Sequence, residues 1–187
     1  MIGQLPQSIT VNGVSYAIRT DYRDILRILV AYNDPNLEPK EQAYICLVIL
    51  YVDFVSVMPK EDYNEALEKA IAFIDMGSRD SKPAHHPKTM DWEQDESILF
   101  PAINKVAGFE TRSAEYIHWW TFMGYFMEIS DGVFSQVLSL RMKKAKGKKL
   151  EKHERDFWTA NRSICVLQKK VSDQQREEME RLKKMLG

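Results

Sequence analysis

Read from its residues alone, the chain is a mainly α-helical, multi-helix domain with an N-terminal β-hairpin and a basic helical C-terminal extension. Three observations lead there. Apolar residues recur at helical spacing along most of the 187 residues. One short stretch near the start alternates instead, around an Asn12-Gly13 pair. Basic residues crowd the end: residues 1–140 hold 11 Lys/Arg against 20 Asp/Glu, and residues 141–187 hold 15 against 7.

The elements follow in order from local chemistry. Residues 8–11 and 14–18 are joined by Asn12-Gly13, which readily takes the positive φ angles of a two-residue turn. Two strands alone are marginal in water, so the hairpin must lie on helices. Thr20 or Asp21 caps a first helix to about residue 33, with Ile25, Leu26, Leu29 and Val30 as its apolar stripe. Asp34-Pro35-Asn36 ends it. Pro39 opens a second helix to about residue 58, and Pro59 a third over 60–76 with Gly77 at its C-terminal cap. Residues 78–90, polar and proline-rich, are expected to be a flexible linker. A fourth helix starts near Asp91, is kinked or restarted by Pro101 and ends at Gly108. An aromatic helix over 113–129 follows, and a sixth over 133–144. A lysine-rich turn then leads to two more, near 151–170 and 172–186, the last with Ser172 and Gln175 at capping-box spacing. That last helix is mostly polar, with apolar positions at Met179, Leu182 and Met185. These readings divide the chain into a helical domain, 1–144, and an extension, 145–187.

The aromatic segment says most. Six of the twelve residues over 116–127 are aromatic and none is charged. A surface helix confines its apolar residues to one stripe. Here Tyr116, Trp119, Trp120, Met123 and Met127 take one side, while Ile117, Phe122, Tyr125 and Phe126 spread around the rest. Such a helix is covered on most sides. Its rings are either core or, in part, a surface that receives an amphipathic helix, with Trp and Met as adaptable anchors.

Composition and motifs exclude much else. Apolar residues at 44% and charged residues at 28% are globular values, and the net charge of −1 implies no nucleic-acid partner. Cys46 and Cys165 make no disulfide framework and read as small core residues. The most lipid-like run, 43–58, is shorter than the ~18–20 residues a bilayer span needs. Residues 1–6 lack the regions of a signal peptide. His85-His86, Asp91, Glu93, Asp95, Glu96 and His118 invite a metal reading, but no ligand spacing supports it. The four acids suit the first turn of a helix. No nucleophile elbow and no phosphate-cradling glycine loop occurs, so no catalytic residue, cofactor or metal is expected. The basic run over 141–155 includes Arg141, Lys143, Lys144 and Arg155. It lacks interleaved aromatics that would stack on bases. Lys146, Lys148 and Lys149 within it are candidates for electrostatic contact with an acidic face.

Several phrases together resemble one family. They are Leu5-Pro6 with 11–23; Asp91-Trp92-Glu93-Gln94-Asp95 with Ile98; the His118-Trp119-Trp120-Thr121-Phe122 block; and Arg141 with the lysine-rich stretch. Together they are similar to the bacteriophage gp-fifteen family of long-tailed phages and prophages. The likeness spans about residues 3–160 and departs from the family pattern over 104–114. It implies a non-enzymatic tail assembly chaperone, encoded beside the tape-measure protein, that covers the apolar face of that long helical client until the tail tube forms. Tyr116, Trp119, Trp120, Met123, Phe126 and Met127 are the expected client surface. The tail tube protein is a further candidate partner, self-association in multiple copies is expected, and the expected location is the host bacterial cytoplasm. A structural tail completion or connector protein is the alternative, and a non-specific nucleic-acid-binding factor the second.

Overall fold

A computed structural model describes residues 3–77 and 87–186. The chain forms two compact units. A hairpin unit joins Pro6–Asp75 to Lys169–Gly187, and an aromatic unit comprises Met76–Gln168 with Met1–Leu5. The division expected at residue 144 therefore falls inside the aromatic unit. The expected extension is shared between the two units, because its residues beyond Gln168 belong with the N-terminal hairpin.

In the hairpin unit, β1 (Ser8–Val11) pairs antiparallel with β2 (Val14–Ala17), with Ile9 opposite Tyr16 and Val11 opposite Val14. This register gathers these four apolar side chains on one face, where Val11 and Tyr16 are buried. Asn12 and Gly13 both have positive φ, 45° and 80°, as a tight two-residue turn demands. The turn docks on helix α4 (Tyr63–Ile74) and the 3-10 turn Lys60–Asp62 before it. The Asn12 amide donates to Glu65 Oε2 at 3.2 Å, and its side chain and the Tyr16 hydroxyl both donate to the Asp62 carboxylate.

Helix α1 (Tyr22–Tyr32) starts where Asp21 accepts the Arg23 amide. Its deepest residues are Tyr22, Ile25 and Ile28, while Leu26, Leu29 and Val30 of the expected stripe are half-buried. The buried face is thus rotated from the expected one. Helix α2 (Pro39–Leu50) packs on α1 and α4. It stops well short of residue 58. The Arg19 Nη1 group reaches the carbonyls of Val48, Ile49 and Tyr51 at 2.9–3.1 Å, and the segment after β2 pairs with the chain at Tyr51. A cation on the last carbonyls caps α2, and strand-like pairing replaces its next turn. A short helix α3 (Phe54–Val57) follows.

The aromatic unit contains α5 (Glu96–Ala107), α6 (Trp119–Met127), α7 (Val133–Ala145), α8 (Lys152–Ala160) and α9 (Arg162–Cys165). Helix α5 runs through Pro101 without restarting. Pro101 and Ser97, whose carbonyl loses its helical donor there, are both exposed, so water can serve that carbonyl. The aromatic helix begins at Trp119, not 113. A 3-10 turn (Thr111–Ser113) and an extended stretch precede it. The helix expected near 151–170 breaks at Asn161, whose side chain donates to the Phe157 carbonyl at 3.0 Å. The last helix, α10 (Asp173–Leu186), belongs to the hairpin unit. Of the expected linker, residues 78–86 with His85 and His86 lie outside the described residues. Among the described residues no helix is long and apolar enough to cross a membrane.

Candidate partner-binding surface

The aromatic unit is fastened by one buried ion pair. Arg141 on α7 grips Asp95, just ahead of α5, with two hydrogen bonds of 2.7 Å. Its other three N–H groups donate to the carbonyls of Cys165, Thr89 and Ile164 at 3.0, 2.8 and 2.7 Å. All five guanidinium donors are thereby used, as a buried cation requires. Asp95 also accepts the Asp91 amide, and Asp91 in turn accepts the amides of Glu93 and Gln94. These acids do capping and pairing work, and among the described residues no group of three His, Cys, Asp or Glu side chains could hold a metal ion. Arg141 is thus withdrawn from the basic run. Its position carried the clue, for it lies at i+7 from Phe134 and i+4 from Val137, on the buried face of α7.

This frame presents α6. Its start is set by His118, whose Nδ1 accepts the Trp120 amide at 3.0 Å. One side of the helix faces an aromatic core. Trp119 stacks on Phe122 at 6.0 Å, Phe122 meets Phe100 at 6.0 Å, and Phe126 lies between Trp92 (5.4 Å) and Phe134 (6.1 Å). Trp119 is 1% exposed. It is a core residue, which corrects its place in the expected client surface, and Trp92 is the partner that sequence reasoning overlooked. The opposite side is partly accessible. Trp120, Met123 and Met127 follow one another at i, i+3 and i+7; the first two are half-buried and Met127 is 60% exposed. Tyr116 is 51% exposed but precedes the helix, in the extended stretch. Five of the six expected residues are therefore at least partly accessible, although Phe126 turns its ring inward.

Gly124 sits on this side, at i+4 from Trp120. The six other described glycines all have positive φ and serve turns and caps. Gly124 alone among them is helical, and a Cβ there would meet nothing within 4 Å. Glycine within a helix costs about 0.5–1 kcal/mol relative to alanine. Neither backbone geometry nor crowding within the fold calls for it.

Two hollows, one apolar and one of mixed lining that includes Arg19, Asp53 and Ser56, were not foreseen. One, of about 280 Å³, is lined by Ile98, Pro101, Ala102, Val133 and Phe134 in the aromatic unit, with the Lys105–Asp131 ion pair at its edge. The other lies in the hairpin unit beside Val48, Phe54 and Val55. The basic run shrinks on inspection. Lys143 pairs with Glu154, and Lys144 lies over the Trp158 ring at 4.4 Å. Lys146, Lys148 and Lys149 remain exposed around the Gly147 turn. Burial pushes the thiols of Cys46 and Cys165 above their ordinary range, so both stay protonated.

A family model described as Bacteriophage Gp15 protein matches residues 1–167. No curated protein and no solved structure matches the chain.

Proposed function

This chain belongs to the bacteriophage Gp15 family, and on that premise we propose that it is a non-enzymatic tail assembly chaperone for the tape-measure protein. The reading rests on the accessible side of α6. Trp120, Met123 and Met127 form a helix-length apolar stripe, and Gly124 leaves backbone bare beside it. A partner helix laid along that stripe approaches closest at a residue without a side chain, and Met side chains adapt to a client of varying sequence. Each contact is small. Many copies along one long client compensate through avidity. Tyr116, just before the helix, and Lys146, Lys148 and Lys149, around the Gly147 turn, are exposed and are offered as further client contacts, the lysines for acidic residues.

The test is co-expression with the tape-measure protein of the same phage, scoring its soluble fraction. The intact chain is expected to raise that fraction, and a Met123→Asp, Met127→Asp double variant with unchanged circular dichroism is expected not to. Unchanged client solubility with the intact chain refutes the chaperone reading. Recovery of the chain in purified particles points instead to a structural tail component.

A further inference from the structure

We propose that Glu128 selects a basic client: the helix that docks on α6 lays an apolar side chain over Gly124 and sets a lysine or arginine against the Glu128 carboxylate. The inference rests on the client reading above and adds the chemistry of the client. Trp120, Gly124 and Glu128 stand four residues apart, in one of the ridges by which helices pack. At about 100° per residue, Gly124 lies about 160° from Phe122 and Phe126, whose rings face the core, and about 140° from buried Trp119. It therefore marks the middle of the side turned away from the core of its own unit. Trp120 and Glu128 each lie about 40° from that midline, on opposite flanks. Met127 lies about 60° away on the Trp120 flank and Thr121 about 60° away on the Glu128 flank. The ridge is thus interrupted at its centre, where a Cβ would meet nothing within 4 Å. The gap has an indole and a thioether on one flank, a hydroxyl and a carboxylate on the other.

Charge indicates what fills it. A helix C-terminus carries partial negative charge, which disfavours an acid there. Glu128 is the C-cap of α6 and is exposed, and the last turn of the helix holds no basic residue. Glu128 makes no ion pair with a described residue. Lys105, which reaches the turn after α6, is taken by Asp131 at 2.9 Å. Nor does closing the helix require this carboxylate, because the Glu128 main-chain amide already donates to the Gly124 carbonyl at 3.2 Å. Glycine in mid-helix and an acid at the negative end are therefore two local costs, one turn apart on the same side, that the fold itself leaves without offset. Such departures from local preference gather at functional sites. One incoming helix offsets both. Its apolar side chain fills the gap beside Trp120 and Met127, and its cation neutralises the carboxylate. Helical Cα–Cβ bonds tilt towards the N-terminus, so the Glu128 side chain starts out towards the gap.

Overlapping synthetic peptides tiled along the tape-measure protein of the same phage, titrated against the full chain by fluorescence anisotropy, test the proposal. The peptides that bind are expected to be amphipathic and basic, and to lose affinity as salt rises. Glu128→Gln is expected to weaken them about two- to fivefold, and Glu128→Lys further. Glu128→Lys is expected at the same time to raise the urea midpoint, because a cation suits a helix C-terminus. Weaker binding by a more stable protein separates client contact from damage to the fold. Replacing the contacting peptide cation by glutamate is expected to restore binding to Glu128→Lys. In the co-expression assay, Glu128→Lys is expected to lower the soluble fraction of the client. Bound peptides without a basic residue, equal affinity of wild type and Glu128→Lys, or an unchanged soluble fraction overturn this inference and leave the chaperone reading standing. If no peptide binds and the intact chain leaves client solubility unchanged, the chaperone reading itself fails, and this inference with it.

Discussion

Replacing Arg141 by Met separates a buried clamp from a member of a solvated basic run. The wild-type guanidinium makes five hydrogen bonds, two to Asp95 and three to main-chain carbonyls, with both ion-pair partners almost fully enclosed. Methionine fills similar space but leaves the Asp95 carboxylate buried, with the Asp91 amide as its remaining donor of that set. Breaking one side of a buried pair costs about 3–5 kcal/mol. The three carbonyls left without Arg141 add to that cost wherever water cannot reach them. Urea unfolding of Arg141→Met is therefore expected to show a loss of about 3–5 kcal/mol. The Asp95→Asn, Arg141→Met pair is expected to lose less than the sum of the singles, with a coupling of about 1–3 kcal/mol. Lys148→Met, in the exposed part of the same run, is expected to stay within about 0.5 kcal/mol of wild type. A loss for Arg141→Met no larger than that for Lys148→Met refutes the clamp.

Three further perturbations probe α6 and its surroundings. Phe122→Ala removes a ring that is 0% exposed and is expected to cost about 3–5 kcal/mol by chemical denaturation, while Met127→Ala is expected to leave stability within about 0.5 kcal/mol. Gly124→Ala is expected to raise stability by about 0.5–1 kcal/mol, and Gly124→Leu to weaken client solubilisation; a stability loss with alanine means that the backbone there is not free helix. Hydrogen bonds from Arg112 hold the Glu110 carboxyl down at about 2, below its ordinary 4.5, so the stability this pair provides is whole above that ordinary value and is lost as pH falls towards about 2. Glu110→Gln is expected to flatten the acid limb of the urea-midpoint curve, and an unchanged limb removes the pair from the account.

Local chemistry made several elements legible. Asn12-Gly13 specifies the hairpin because the turn needs positive φ twice; Asp21 marks a helix start through its side-chain acceptor, and Gly108 a helix end through its positive φ. Contacts between distant residues were not legible. Helix α2 is shortened by Arg19, about thirty residues away in sequence, and Arg141 is claimed by Asp95, 46 residues away. Within α6, composition announced a helix needing cover on most sides, but the choice of Trp119 for the interior and Trp120 for the rim depended on where the helix begins. His118 sets that start by accepting a main-chain amide, a role that its spacing among aromatic residues does not reveal.

The hairpin unit is discontinuous, and the order of synthesis gives this weight. Its first stretch, Pro6–Asp75, leaves the ribosome long before Lys169–Gly187, with the bulk of the other unit translated between them. A nascent chain therefore displays the hairpin and its helices while the segment bearing α10 does not yet exist. The bond from Asp173 to Asn36 is among the last that translation permits, and a polypeptide halted near residue 168 has every helix of the aromatic unit but none of α10.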